Sequence, residues 1–445
     1  MFLPLITAII NHEAIAIKAF MLPVLACLII SSVGLVYFKQ SNDKLLIRET
    51  NLLIVLSLLI SIAVGAVPFI IVHGLPGTMD AFFESCSAFT TTGASVMHSM
   101  LKLPKSLILW RSLAGWLGGL GIVFIITMHM NIKKALIYIY LIFSAITFIL
   151  LLLTGNAAFD SIVLTLNTVS TTGFSTASTG VASLTSMTKL VLIVIMILSG
   201  VSYLMYYNAA KKGLNKGFKF IIEDPEFKLY AMLVIAISLE IGIINVLHSN
   251  AGSIHEVSER LLSSLFHVAS TISTTGFTSE PYFMWPTSSL VLLFGLTIIG
   301  GCANSPSSGI KCRRIIVEYK LIRRNLAMRL HPNRVAKMTY NNSEITTGEV
   351  IRVSNYVITY IVIVFIGVLL LSTDKIGFVE AFSATLSCMS NLGQGLGILN
   401  SIGNYATLSA FSKAVCMILM IIGRLEIFPF LTLFSKYYWH PNATK

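Results

Sequence analysis

The chain has 445 residues, of which 55% are hydrophobic and 11% are charged. About a quarter of the residues in a soluble domain are charged, so this composition excludes a soluble globular protein and predicts a polytopic membrane protein. The net charge of +12 does not indicate a nucleic-acid partner, because the basic residues gather in alternate linkers between apolar runs, as membrane topology requires.

Apolar runs near twenty residues long, the length that crosses a bilayer core, recur along the whole chain. They lie near residues 16–38, 51–73, 107–128, 134–154, 188–208, 229–248, 355–373 and 406–435. A ninth run begins at residue 288 and is interrupted. Residues 1–11 lack the basic start and the cleavage site of a signal peptide, and we expect them to form the end of a further helix or a re-entrant segment.

A short glycine motif recurs between these runs. It occupies residues 90–94 (TTTGA), 170–174 (STTGF), 273–277 (STTGF) and, in degenerate form, 390–394 (SNLGQ). The residues thirteen positions before the four glycines are Asp80, Asp160, Ser263 and Glu380. An acidic or hydroxyl residue at the start of a short helix complements the positive end of the helix dipole. Each unit is therefore predicted to be a pore helix followed by a turn, with pore helices at 80–89, 160–169, 258–272 and 380–389.

Because the motif repeats along the chain, we interpret these segments as a functional element and not as ordinary polar turns. Glycine allows backbone conformations that other residues avoid, so successive carbonyls of such a turn can face one axis. Rings of backbone carbonyls replace the hydration shell of the ion in selective cation channels. Four turns around one axis are predicted to form a cation filter, whose ion-binding residues are Thr91, Thr92, Gly93, Thr171, Thr172, Gly173, Thr274, Thr275, Gly276, Asn391, Leu392 and Gly393.

These elements predict four repeats in the same orientation, each made of a helix, a re-entrant pore helix and a second helix. The repeats cover residues 51–133, 134–212, 226–340 and 350–436, after N-terminal accessory helices in residues 1–50. Non-helical backbone at membrane depth is tolerated only where it lines a cavity or is buried in protein. The predicted fold class is therefore an all-α polytopic membrane protein whose four parallel repeats surround a pseudo-four-fold pore.

The basic residues orient this arrangement in the membrane. They occupy alternate linkers, namely Lys39, Lys44 and Arg48, then Lys133 and Lys134, then the lysines from Lys211 to Lys228, and the run from Lys311 to Arg352. By the positive-inside rule these linkers are cytoplasmic. The four turns are then expected to face the outside, and the C terminus is expected in the cytoplasm.

The second helix of the third repeat is interrupted. Residues 300–309 (GGCANSPSSG) have a composition through which no helix continues. The run 288–299 is too short to span a bilayer alone, which opposes the alternative that a membrane helix simply ends there. We therefore predict a loop part-way across the membrane, and a gate that consists of Gly300, Gly301, Asn304, Ser305, Ser307, Ser308, Gly309 and Arg424.

Arg424 lies between long apolar runs, where an arginine costs about 3 kcal/mol or more. It is expected to face the protein interior, while Glu426, two residues away, points elsewhere on a helix. The expected partners are carbonyls or hydroxyls of the 300–309 loop or the underside of the filter. The alternative is a structural arginine whose side chain extends to the cytoplasmic surface.

The remaining polar residues are weaker candidates for a functional site. Trp110, Arg111 and Trp116 have the composition of interface anchors at the start of a helix. Glu240 is a candidate buried acid without a charged partner, and His267 is expected to pack within a pore helix. The six cysteines show no CxxC spacing and are predicted to be small apolar residues. We find no hydrolase, zinc-protease or nucleotide-binding motif, and therefore expect neither an enzyme nor a cofactor.

Longer motifs resemble a known family. They are LWRS and WLGGLGI within 109–122, the two STTGF motifs, NLGQGLG at 391–397 and GRLEIF at 423–428. These motifs and the extra N-terminal helix are similar to the Trk/Ktr/HKT superfamily of potassium transporters, and within it to the bacterial Trk-type membrane subunits. The similarity covers nearly the whole chain. The chain departs from the family in its shorter first segment and in the smaller number of glycines in residues 300–309.

This resemblance implies potassium uptake across the bacterial cytoplasmic (inner) membrane, with potassium as the transported ligand. It also implies a homodimer in which each protomer has its own pore, a cytosolic nucleotide-binding regulatory subunit (TrkA-like), contact with membrane lipid, and an intramembrane gate at the broken helix. The alternative function is a secondary carrier that couples cation or solute uptake to protons or sodium. Such carriers usually have inverted repeats, whereas the repeats here are parallel and lack paired intramembrane acids.

Overall fold

The computed structural model of the chain describes residues 1–37, 46–72, 75, 77–97, 103–126, 132–177, 180–249, 253–331, 337–341, 343–399 and 405–439. Lys39 and Lys44, on which part of the predicted orientation rests, lie outside these residues, and so do residues 332–336 of the basic run. Most of the described residues are helical.

Two helices precede the first repeat, α1 (Phe2–Ile10) and α2 (Ala14–Tyr37). In the turn between them His12 adopts the left-handed region, with φ of 55°. α1 has nine residues and is too short to span a bilayer. The N-terminal segment is therefore a separate short helix, which buries Pro4 and Ala8.

The first repeat consists of α3 (Ile47–Ile71), the pore helix α4 (Thr78–Phe89) and α5 (Lys105–Ile126). α4 carries Asp80 in its first turn, as the dipole argument predicts. At the start of α5, Glu13 accepts hydrogen bonds from the amides of Lys105 (2.8 Å) and Ser106 (3.3 Å). The first N–H groups of a helix have no partner within it, so this carboxylate connects the N-terminal segment to the first repeat.

The second repeat contains α6 (Lys133–Leu153), the pore helix α7 (Ala158–Val169), α8 (Ser186–Ser199) and α9 (Tyr203–Lys212). The prediction of one helix over 188–208 is wrong, because α8 and α9 meet at an angle of 86°. At the break, the carbonyl of Gly200 accepts a hydrogen bond from the amide of Cys302 (2.9 Å) in the third repeat. A Cβ at Gly200 would overlap the hydroxyl of Tyr230, so glycine allows the third repeat to approach this closely.

The third repeat contains α10 (Leu214–Glu223), α11 (Pro225–Ser249), the pore helix α12 (Ile254–Ile272), α13 (Thr287–Ile299) and α14 (Cys312–Leu330). α12 begins earlier than the predicted 258–272, because Ser253 caps it and accepts a hydrogen bond from the amide of Glu256 (3.2 Å). Ser263 therefore lies in the middle of α12, and the thirteen-residue offset does not mark a helix start in this repeat. After α14, β1 (Thr339–Tyr340) and β2 (Ser343–Glu344) form an antiparallel pair with Thr339 opposite Glu344.

The fourth repeat contains α15 (Thr347–Leu371), the pore helix α16 (Phe378–Met389), α17 (Ala410–Arg424), α18 (Phe428–Thr432) and α19 (Lys436–Trp439). The prediction of one helix over 406–435 is wrong, because α17 ends at Arg424. Glu426 and Ile427 follow with φ of 57° and 65°, a region that a β-branched residue rarely adopts. The Glu426 carboxylate lies 2.7 Å from Lys311 Nζ and 2.5 Å from Arg314 Nη2, so ion pairs with the third repeat hold this break.

The packing is that of a protein surrounded by lipid. The outer helices expose large apolar side chains, such as Ile60, Ile142 and Ile358, while the ends of the pore helices are buried with many hydroxyl side chains. Short 3₁₀ turns at Tyr282–Met284, Gly397–Leu399 and Tyr405–Thr407 complete the loops. In the described part of the chain, six helices are long and apolar enough to cross a membrane, and a seventh if α8 and α9 form one span. The chain is an all-α, multi-pass membrane protein, as its composition predicts.

Candidate functional site

The four glycine turns have the same backbone conformation. Directly after each pore helix and its cap, one residue adopts the left-handed region, namely Thr91 (φ 53°), Thr171 (56°), Thr274 (53°) and Asn391 (51°). Two residues later the glycine does so as well, at Gly93 (79°), Gly173 (79°), Gly276 (82°) and Gly393 (81°). The degenerate fourth copy therefore folds into the same turn as the others, although asparagine and leucine replace its two threonines.

Backbone hydrogen bonds attach each turn to its own pore helix. The amide of the residue before each glycine donates to a carbonyl of the helix: Thr92 to Ser87 (2.8 Å), Thr172 to Asn167 (2.8 Å), Thr275 to Ser270 (2.8 Å) and Leu392 to Ser387 (2.9 Å). Each turn is thus held by the end of its own helix, which explains how one local motif produces the same geometry four times.

Contacts between the turns close into a ring. A Cβ added at each glycine would overlap a carbonyl oxygen of another repeat: at Gly93 that of Thr172, at Gly173 that of Thr275, at Gly276 that of Leu392, and at Gly393 that of Thr92. Each glycine abuts the next repeat, and the fourth repeat abuts the first. Glycine is required at all four positions for two reasons, the left-handed φ and the absence of space for a side chain.

Hydroxyl groups support three of the turns in the same way. Thr92 Oγ1 pairs with Thr90 Oγ1 (2.8 Å), Thr172 Oγ1 with Ser170 Oγ (2.7 Å), and Thr275 Oγ1 with Ser273 Oγ (2.7 Å). Leu392 has no hydroxyl, and Ser390 Oγ instead pairs with Tyr360 Oη at 2.7 Å. The fourth turn therefore obtains its support from the first helix of its repeat.

Side-chain amides connect the fourth turn to its neighbours. Asn391 Nδ2 donates to Thr92 Oγ1 (3.0 Å) and to the carbonyl of Met420 (2.9 Å). Gln394 Nε2 donates to the carbonyl of Gly276 in the third turn. The ring is thus four-fold in its backbone but differs chemically in one quadrant.

The 300–309 loop is buried inside the protein. Gly300 and Gly309 have φ of 69° and 86°, and Asn304 has φ of 60°, so the chain turns sharply three times within ten residues. Ser305 and Ser307 are 0% and 2% exposed, and their hydroxyls pair with each other at 2.6 Å. The composition therefore predicts the break correctly, and the two buried hydroxyls are paired within the loop.

Three different repeats hold the loop. Its second-repeat contact is a hydrogen bond from the amide of Tyr203 to the carbonyl of Asn304 (3.2 Å). Its third-repeat contact reaches one of the glycine turns, because the amide of Ser308 donates to Thr274 Oγ1 at 3.0 Å. In the fourth repeat, Arg424 Nη1 donates to the carbonyl of Pro306 at 2.8 Å. The loop thus joins the residues predicted for the gate to one of the turns.

Arg424 is 2% exposed, so its side chain does not extend to the membrane surface. Its second nitrogen, Nη2, donates to the carbonyl of Gly118 on α5 at 2.8 Å. The guanidinium therefore bridges the loop and the first repeat, and the expectation of a carbonyl partner in the loop is confirmed. As expected, Glu426 does not pair with Arg424 but with Lys311 and Arg314.

One buried carboxylate connects the loop to the start of α14 and was not predicted. Glu226, at the start of α11, is 4% exposed. Its Oε1 accepts hydrogen bonds from the amides of Ala303 (2.6 Å) and Arg313 (3.1 Å). The sequence does not indicate this role. Glu226 lies in a basic linker directly before an apolar run, where an acid is equally compatible with a solvent-exposed helix start.

Two predictions on charged residues are wrong. Arg111 is not an interface anchor but is buried, with Nη1 at 3.0 Å from Glu84 Oε1, and Trp110 is buried with Nε1 donating to the carbonyl of Gly65 (3.1 Å). Glu240 is exposed on α11 and is not a buried acid. Opposite charges in two adjacent apolar segments are the signal that would have identified the Glu84–Arg111 pair.

Two other polar residues belong to the packing of the pore helices. His267 is buried, with Nδ1 at 2.9 Å from the carbonyl oxygen of Ser263, and its ring lies against Tyr282 and Trp285. Asp80 forms a buried ion pair with Lys413, whose Nζ lies 2.6 Å from Asp80 Oδ1. The pair joins the first pore helix to the fourth repeat, in addition to the dipole role that its position predicts.

Comparison with known proteins agrees with this architecture. The family model of TrkH, described as a cation transport protein, matches residues 16–141 and 122–443. The Trk system potassium uptake protein TrkH of Salmonella typhimurium is 27% identical over 474 residues, which cover 99% of this chain and 95% of that protein. The Trk system potassium uptake protein TrkG of Escherichia coli is 24% identical, over 90% and 87% of the two chains.

A solved structure has the same fold along its whole length. The crystal structure of the potassium transporter TrkH from Vibrio parahaemolyticus superposes with a TM-score of 0.84 and 26% sequence identity. The match covers 99% of this chain and 100% of that chain. Together with the family match from residue 16 to residue 443, these findings show that the chain belongs to the TrkH family of cation transport proteins.

Proposed function

We propose that the chain is the membrane subunit of a bacterial potassium uptake system and conducts K⁺ through a channel-like filter formed by the four turns. The observation that carries this proposal is the closed ring in which each glycine abuts a carbonyl oxygen of the next repeat. A ring of backbone carbonyls can replace the hydration shell of a cation. The relatives described above are named as potassium uptake proteins, and their name supports potassium as the substrate.

The proposed ion ligands are the turn residues 91–93, 171–173, 274–276 and 391–393. In three quadrants one threonine hydroxyl, that of Thr92, Thr172 or Thr275, is held by a neighbouring hydroxyl, so the backbone is positioned before an ion arrives. Such preorganisation favours the cation whose size fits the ring. The chain uses no cofactor in this mechanism, because desolvation and resolvation of the ion need only fixed oxygen atoms.

The proposed gate is the 300–309 loop together with Arg424. Its contact with Thr274 supports a position next to the filter, where a loop can obstruct the ion path. The Arg424 side chain holds the Pro306 carbonyl, and its positive charge opposes a cation beside it. The three glycines of the loop, Gly300, Gly301 and Gly309, allow more than one backbone path between α13 and α14, which a gate requires.

The proposed organisation follows the predicted repeats, 51–133, 134–212, 226–340 and 350–436, after accessory helices in 1–50. The filter turns face the outside of the cytoplasmic membrane, and the basic linkers and the C terminus face the cytoplasm. The helix α14, which carries Arg313, Arg314, Arg323, Arg324 and Arg329, supports this orientation, since arginines concentrate on the cytoplasmic side.

The test of this function is ion flux into liposomes that contain the purified chain. We expect potassium and rubidium to enter in response to the membrane potential, sodium to enter much more slowly, and the flux to be independent of a proton gradient. Empty liposomes are the control. Flux that requires a proton or sodium gradient would instead support a secondary carrier, and equal flux of all three ions would contradict a selective filter.

The Trk relatives are named as parts of a system, and we propose that this chain also has partners. They are a second copy of the chain, each copy with its own pore, a cytosolic nucleotide-binding regulatory subunit (TrkA-like), and the surrounding lipid. The basic helix α14 is the proposed docking element for the regulatory subunit. Its Tyr319, Ile322 and Leu326 are more than half exposed, so apolar and positively charged groups lie together on this helix.

Replacing Arg323, Arg324 and Arg329 with glutamine is expected to weaken co-purification with the TrkA-like subunit. The three charges can make charge-assisted hydrogen bonds with acidic groups of a partner, whereas neutral amides cannot. Size-exclusion elution and thermal stability of the variant should match the unmodified chain, because Arg323 and Arg329 are exposed and Arg324 is only half-buried. If complex formation is unchanged and binding to anionic vesicles falls instead, α14 contacts lipid headgroups.

A further inference from the structure

Two opposite charges lie buried behind the ring of turns. Glu84, on the pore helix α4, is 0% exposed, and Arg111, on α5, is 1% exposed. Arg111 Nη1 lies 3.0 Å from Glu84 Oε1. Because removal of both charges from water opposes folding, a buried ion pair is a weak source of stability. A role in positioning explains its place better than a role in stability.

Glu84 holds the segment that leaves the first turn. Its carboxylate accepts hydrogen bonds from the hydroxyl of Ser95 (3.1 Å to each oxygen) and from the amide of Val96 (3.1 Å). These residues follow Gly93 by two and three positions. The carboxylate therefore fixes the path of the first repeat directly after its glycine.

Arg111 holds the matching segment of the second turn. Its Nη2 donates to the carbonyl of Ser175 at 3.0 Å, and its guanidinium carbon lies 4.1 Å from the centroid of the Phe174 ring. Phe174 and Ser175 directly follow Gly173. One planar guanidinium thus makes an ion pair within the first repeat and a hydrogen bond and a stacking contact with the second, which a lysine could not do at the same time.

The acid is specific to the first repeat. Nine positions before the filter glycine, where the first repeat has Glu84, the other three repeats have Leu164, His267 and Ala384. The Glu84–Arg111 ion pair therefore connects only the first and second turns of the ring. The repeated motif does not require a charged residue at this position.

We propose that Glu84 and Arg111 are positioning residues that set the spacing of the first and second turns, and through it the ion selectivity of the ring. This inference rests on the proposed function of the turns as a filter. Neither side chain is a ligand of the ion, and both act through the backbone that follows Gly93 and Gly173. Groups that recognise a ligand must be held within about 0.5 Å of the productive geometry, so loss of the ion pair relaxes discrimination between ions of different size.

The test compares two variants in the liposome assay, Arg111→Lys and the double variant Glu84→Leu/Arg111→Met. Lysine keeps a positive charge beside Glu84 but loses the planar guanidinium, and with it the hydrogen bond to the Ser175 carbonyl and the stacking on Phe174. The double variant removes both charges and leaves neither one buried alone. We expect both to purify as folded protein and to lower the ratio of potassium to sodium flux roughly tenfold.

The matched control is the other buried ion pair of α4, tested as Asp80→Leu/Lys413→Met. Lys413 Nζ also donates to the carbonyl of Ala406 (3.0 Å), which lies outside the four turns. We expect this variant to change thermal stability and to leave the flux ratio unchanged. An equal loss of selectivity in this control would overturn the inference, because any buried pair on the pore helix would then have the same effect.

A further variant, Gly93→Ser, separates the inference from the function on which it rests. If Gly93→Ser changes the flux ratio and both Arg111 variants leave it unchanged, the turns form the filter but the ion pair does not position them. If Gly93→Ser also leaves the ratio unchanged, the proposed filter itself is wrong.

Discussion

Gly173→Ser is expected to abolish selective potassium flux while the protein remains folded. Gly173 has φ of 79°, a conformation that costs an L-residue about 1–2 kcal/mol. A Cβ at this position would also overlap the carbonyl oxygen of Thr275, so the second and third turns must move apart. The measurement is the ratio of potassium to sodium flux in liposomes, for which we expect a fall of roughly tenfold or more.

A second glycine provides the control for backbone strain. Gly155, in the loop between α6 and α7, has φ of 85°, but a Cβ there would meet nothing within 4 Å. Gly155→Ser therefore introduces similar strain without the overlap and outside the ring, and should leave the flux ratio unchanged. Normal selectivity in folded Gly173→Ser would remove these turns from the filter.

Arg424→Ala is expected to raise basal potassium flux in the absence of a regulatory subunit. The substitution removes the hydrogen bonds to Pro306 and to Gly118, both 2.8 Å long, and it removes the positive charge beside the proposed ion path. Both changes favour an open loop. The carbonyls left without a donor also lower stability, by about 1–3 kcal/mol for each unsatisfied buried group, so thermal unfolding must be measured with the flux.

Arg424→Lys separates the two effects, because it keeps the charge but cannot reach both carbonyls with a planar fork. Deletion of Asn304–Ser307 tests the loop independently, since it removes the Pro306 carbonyl and the Asn304 carbonyl that accepts from Tyr203. We expect this deletion to raise basal flux as well. If Arg424→Ala and the deletion both fold and neither changes flux, with or without a regulatory partner, the loop is a structural break and the gate lies elsewhere.

The repeats and the turns could be predicted from the sequence because their signals are local. A pore helix and the glycine that follows it depend on about twenty consecutive residues, and the hydrogen bonds from Thr92 to Ser87 and from Leu392 to Ser387 lie within that span. Even the degenerate fourth copy has the same left-handed φ at Asn391 and Gly393. Composition and the spacing of apolar runs were likewise sufficient for an all-α membrane fold.

The break at 300–309 and the kind of partner that Arg424 needs were also predictable. Glycine, serine and proline end a helix wherever it packs, and an arginine among apolar runs requires buried acceptors. That the acceptors are the carbonyls of Pro306 and Gly118 was not predictable. Those residues are 118 and 306 positions away, and only the packing of repeats brings them together.

Tertiary structure alone decided the remaining features. The segments 188–208 and 406–435 are apolar enough to be continuous helices, but contacts with the third repeat divide them, through the Gly200 carbonyl in one case and the Glu426 ion pairs in the other. From the sequence, an arginine at a helix start is as compatible with a membrane interface as with a buried site. Arg111 is buried because Glu84 provides its partner. The physical reason is the same in each case: a buried polar group is stable only with a partner, and the packing of distant helices determines which partner it meets.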